Sequence, residues 1–103
     1  MPNALRGTLA GLLERAEQQP GSPQRINLLR GLRVDVLLTV DAVHVQLSRL
    51  NVYPSQQEWS TVMRAWPFQV PTVTPKQIKL DGRFYLKASW SNARQTALLA
   101  ESA

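Results

Sequence analysis

Between Arg64 and Arg94 the chain carries Arg64, Lys76, Lys79, Arg83, Lys87 and Arg94, and the only acid in that interval is Asp81. Cations in such excess attract anionic polymers, because each one that neutralises a phosphate releases a condensed counterion. Tyr85 lies among them, and an exposed tyrosine ring can stack on an unpaired base. The whole chain repeats the bias, with twelve Lys and Arg against seven Asp and Glu and a formal net charge of +5. An anionic partner is favoured, nucleic acid ahead of a membrane surface.

Other chemistries find few residues to carry them. With no cysteine there is no disulfide, no thiolate nucleophile and no Cys-based metal site. His44 is the lone histidine, which leaves a triad or a one-histidine phosphoesterase without recognisably spaced partners and makes a surface histidine the better description. Asp35, Asp41 and Glu58 raise the idea of a metal-dependent nuclease, but they read as a mid-strand residue, a turn residue and a helix cap, three unrelated structural roles. No metal, cofactor or catalytic set is expected. Pro67, Pro71 and Pro75 recur every fourth residue, off the three-residue period that polyproline-binding domains read.

The elements that position the cations follow from periodicity. Leu5, Leu9, Leu12, Leu13 and Ala16 form the apolar stripe of a helix from about Asn3 to Gln18, stopped by Pro20 and Gly21. Residues 22–31 fit one or two helical turns, with Ser22 as cap, Pro23 in the first turn and Gly31 just beyond, although Ile26 and Leu28 also suit a strand. From Leu32 the period becomes two. Val34, Val36, Leu38 and Val40 share one face, and Val43, Val45 and Leu47 continue it after a turn at Asp41 and Ala42, which puts Val40 across from Val43 and Leu38 across from Val45, or after a four-residue loop of the same parity, since Ala42 suits a tight primed turn poorly.

Ser55 and Glu58 form a capping box that opens a second helix from about Gln56 to Trp66, with Trp59, Val62, Met63 and Trp66 inward. The proline-punctuated segment that follows reads as an extended connector. Asp81 and Gly82 mark a second hairpin, for which a three-residue loop is expected because it segregates the faces: Ile78, Phe84, Leu86, Ala88 and Trp90 on one, Gln77, Lys79, Arg83, Tyr85, Lys87 and Ser89 on the other. Residues 91–103 fit a short helix or a frayed tail.

These elements assemble as one α+β domain spanning residues 1–103, a small two-layer fold in which an antiparallel sheet of two hairpins, about four strands, carries two main helices on one face. No run approaches the roughly 18 apolar residues of a membrane span, and Met1 to Gln19 lacks a secretory pattern, so a cytoplasmic protein with no membrane contact is expected. The expected function is non-enzymatic binding of DNA or RNA through Arg33, Lys79, Arg83, Tyr85 and Lys87 on the open face of the sheet. The alternative is a protein-protein association module, a homodimer or a subunit of a larger assembly, because Leu37 and Leu50 also point outward and hairpin edges are exposed.

Overall fold

The computed structural model describes residues 2–68 and 70–91; the expected C-terminal tail lies almost wholly outside them. In chain order the elements are α1 (Pro2–Gln18), β1 (Gln24–Asn27), a single 3-10 turn (Leu29–Gly31), β2 (Arg33–Leu38), β3 (Ala42–Leu50), α2 (Gln56–Arg64), β4 (Lys76–Leu80) and β5 (Arg83–Ser91). Among the described residues five strands form one antiparallel sheet in the order β1-β2-β3-β5-β4. The α+β class and the two helices match the expectation; the sheet has five strands rather than about four.

The extra strand is β1, where one or two helical turns were expected. Gln24 to Asn27 pair with Val36 to Arg33, and the N–H of Gly21 already donates to the carbonyl of Leu38 at 2.8 Å. An isolated helix of so few residues is marginal in water, whereas a strand here satisfies the outer backbone edge of β2 and packs Ile26 on the core. Only Leu29–Gly31 keeps helical character, as a 3-10 turn.

Leu9, Leu12, Leu13 and Ala16 of α1, Trp59 and Val62 of α2, and Trp66 just beyond it bury against Val34, Val36, Leu38, Val43, Val45, Leu47, Leu86 and Ala88. Both helices therefore lie on one side of the sheet. Val70 and Val73 of the proline-punctuated segment pack on the same core, and the Trp66 ring meets that of Trp90 edge-on with centroids 5.9 Å apart. The second helix opens as its sequence implies: Ser55 Oγ accepts from the Glu58 N–H at 3.0 Å, and the Ser55 N–H donates to Glu58 Oε1 at 2.8 Å.

In the first hairpin Leu38 pairs with Val43 and Val36 with Val45, which corrects the pairing of Val40 with Val43 and Leu38 with Val45 expected for a turn at Asp41 and Ala42 and fits a four-residue loop of the same parity. Val40 belongs to that loop rather than to the strand face. Neither Val40 nor Asp41 takes a positive φ, and the turn is instead tied by Thr39, whose N–H donates to the Ala42 carbonyl at 2.9 Å while its Oγ1 accepts from the Ala42 N–H at 3.0 Å.

In the second hairpin the expected three-residue loop is wrong. Leu80 pairs with Arg83, Lys79 with Phe84 and Ile78 with Tyr85, so Asp81 and Gly82 make a two-residue turn. Their φ values of 51° and 77° are those of a primed turn, whose twist matches that of paired strands and which an Asp-Gly pair adopts readily. Face segregation had no force here because β4 is exposed at every position, and a strand with no buried face gains nothing from putting its apolar residues on one side.

Candidate nucleic-acid interface

The face of the sheet away from the helices is assembled by these registers. Asn27, Arg33, Ser48, Tyr85 and Ile78 form one row across all five strands, and Arg25, Asp35, Gln46, Lys87 and Lys76 form the next. Leu37, His44 and Ser89 lie beyond the second row; Leu50, Arg83 and Leu80 lie beyond the first. Five cations on this face meet one carboxylate, while the helices behind it set Glu14, Glu17 and Glu58 against Arg6, Arg15 and Arg64.

Four of the five residues expected to bind, Arg33, Arg83, Tyr85 and Lys87, share this bare face. Lys79 does not. The two-residue turn places it beside Phe84 on the helix side, where its Nζ stands 5.3 Å from the Phe84 ring centroid. Phe84 in turn meets Tyr53 edge-on at 4.8 Å, so Lys79 closes the end of an aromatic contact. The same turn brings Lys76, Ile78 and Leu80 to the bare face; an Asp-Gly pair was the signal for it.

The cations differ in how firmly they are held. Arg83 donates from Nε to Ser48 Oγ at 2.8 Å and from Nη2 to the Ser48 carbonyl at 3.4 Å. Burial, and then the nearby charge of Arg33, pull its pKa below the usual guanidinium value. Arg25 Nε donates to Asp35 Oδ1 at 2.7 Å, and Asp35 is 6% exposed. That carboxylate is thus occupied from the β1 side. Arg33 Nε is buried with no hydrogen-bond partner. Lys76 and Lys87, paired across β4 and β5, are exposed.

Ser48 and Arg25 were not singled out by sequence reasoning. Ser48 is fully buried although it lies on the bare face, because it sits between Arg33 and Tyr85 and under the Arg83 bond. No signal in the sequence marks a serine as covered by its neighbours.

The remaining candidates fall into structural roles. His44 pairs with Leu37, and its Nδ1 meets Ser89 Oγ at 2.7 Å. Asp41 accepts from Thr39 Oγ1 at 3.0 Å in the turn. Glu58 caps α2 and receives Arg49 Nη1 and Nη2 at 2.8 and 2.5 Å, which holds its carboxyl down at about 2, chiefly through the Arg49 bonds. Among the described residues no group of three or more His, Cys, Asp or Glu is placed to hold a metal ion, and no helix is long and apolar enough to cross a membrane. Compared with protein-family models, with curated proteins and with solved structures, the chain matches none.

Proposed function

We propose that the protein is a non-enzymatic binding module whose bare sheet face contacts nucleic acid. The observation that carries this reading is the excess of cations on the bare face, Arg25, Arg33, Lys76, Arg83 and Lys87 against Asp35 alone, while α1 and α2 balance Arg6, Arg15 and Arg64 with Glu14, Glu17 and Glu58. A sheet face with a net excess of cations concentrates counter-ions and steers a polyanion onto it. The side chains that would meet it are Arg33, Arg83, Tyr85 and Lys87, joined by Lys76; Lys79, on the helix side over Phe84, is left out of this reading.

Titration of labelled single- and double-stranded oligonucleotides at low and at physiological salt tests the reading. Saturable binding that weakens steeply as salt rises is expected. The charge-reversed pair Lys76→Glu with Lys87→Glu should weaken it at least about tenfold while leaving thermal unfolding nearly unchanged, because both side chains are exposed and hold no partner among the described residues. Absence of binding at low salt by the unaltered protein ends the reading.

Protein association is a second reading, favoured by one observation: Leu50, Ile78 and Leu80 on this same face are 58%, 38% and 59% exposed. A dimer by light scattering that persists in high salt, together with no oligonucleotide binding, would put association first.

A further inference from the structure

On the same bare face, and resting on the nucleic-acid reading, we infer that the ligand is a single strand, with one phosphate held by Arg33 and Arg83 on either side of Ser48 and a neighbouring base stacked on Tyr85.

Three long side chains converge on one small one. Ser48 lies in the central strand, paired with Arg33 on β2 and Tyr85 on β5, and is 0% exposed. Arg83 reaches it from the next position of the face through two contacts, to Oγ and to the carbonyl. Those bonds fix one edge of the Arg83 guanidinium against the sheet and leave its other donors for a ligand. Arg33 brings a second guanidinium to the same place, with its Nε buried and unpartnered.

Two guanidinium groups set together repel, and the effect is visible in the lowered pKa of Arg83, to which Arg33 contributes after burial. The one carboxylate nearby is engaged by Arg25 at 2.7 Å. Asp35 also acts on Arg83, but one carboxylate among Arg25, Arg33 and Arg83 offsets only part of their charge, and the site keeps a net positive charge. Planar forked donors match the oxygens of a phosphate better than a lysine ammonium does, because two parallel bonds form at once.

The single-strand preference comes from Tyr85 and from the position of the helices. Tyr85 is half-buried in the middle of the cations, two strand spacings or about 10 Å from Arg33 and about 7 Å along β5 from Lys87. A ring set in a sheet face stacks on a base that has left its duplex. Ile78, paired with Tyr85, adds apolar surface beside it. Both helices pack behind the sheet, so among the described residues none is offered to a major groove.

Affinities for a single strand and for a duplex of equal length, at the same salt, provide the test, with Arg33→Lys, Arg83→Lys, Tyr85→Phe and Tyr85→Leu measured beside the unaltered protein. The single strand should bind about tenfold tighter than the duplex, each lysine variant should lose several-fold although net charge is kept, Tyr85→Phe should bind as the unaltered protein does, and Tyr85→Leu should lose roughly tenfold. Equal or better affinity for the duplex, or unchanged binding by Tyr85→Leu, overturns the inference and leaves a non-specific polyanion surface, so the broader reading survives. Failure of every oligonucleotide to bind removes both. The Tyr85 pair decides the matter even if a lysine variant folds poorly, since it leaves the arginines in place.

Discussion

The two hairpins of this sheet obey different rules. In β2–β3, Val34, Val36, Leu38, Val43, Val45 and Leu47 are all buried, and a slip of one residue would turn that set out to solvent, so burial dictates the register and the turn adapts with unremarkable φ values and a threonine tie. In β4–β5, β4 is exposed along its whole length, and the register follows from the local geometry of Asp81 and Gly82. Alternation is a reliable guide only to a strand with something to hide. For β4 the turn outweighs it, and the consequence reaches function, because the turn decides which lysine shares a face with Arg83.

The contrast is sharpest in stability. Leu47→Ala in β3 should cost about 2–5 kcal/mol, while Ile78→Ala in β4 should stay within about 0.5 kcal/mol. Urea unfolding of the two variants measures both, and comparable losses would show that β4 is held by packing after all.

Next in size is the clasp between the sheet and α2. Glu58→Ala removes the reciprocal cap of Ser55 and leaves Arg49 without its carboxylate, for an expected loss of about 1–3 kcal/mol. The carboxyl of Glu58 lies at about 2 when folded and near the ordinary 4.3 when unfolded. Its contribution is therefore fully present above the unfolded value and is lost as pH falls through about 2. Stability measured from pH 5 to pH 2 should fall less in Glu58→Ala than in the unaltered chain.

A smaller effect is expected at the second turn. Gly82→Ala forces a φ of 77° on a residue with a Cβ, at about 1–2 kcal/mol. Open space surrounds that position, so the loss is conformational rather than steric. If thermal unfolding shows no change, the turn is not what sets the register of β4.

The smallest expected effect is a null on binding. Lys79→Glu should leave oligonucleotide affinity within about twofold, since its ammonium stands over Phe84 on the helix side, whereas Lys87→Glu alone should weaken it several-fold. Equal losses in the two variants would mean that the general field of the protein, and not the bare face, recognises the ligand.

Both helices, the inward tryptophans Trp59 and Trp66, the buried faces of β2 and β3, the capping box and the α+β class were legible in the amino-acid sequence, because each is a local pattern with its own energetic reason. A stripe at helical spacing, a period of two and a Ser-x-x-Glu pair all report which side chains leave water or which backbone groups are satisfied within a few residues. The basic excess and the placement of Arg33, Arg83, Tyr85 and Lys87 on one face follow from the same periods. Tertiary structure alone decided the rest. β1 is a strand because β2 offered it a free backbone edge, a partner ten residues away at Arg25 and Asp35. Lys79 left the cationic face, and Ile78, Leu80 and Lys76 joined it, because an unburied strand took its register from its turn. Ser48 became the buried centre of the arginine cluster because strands separated by 35 residues brought Arg83 onto it. Such contacts depend on which distant edges and side chains meet, and no local period of the chain encodes that.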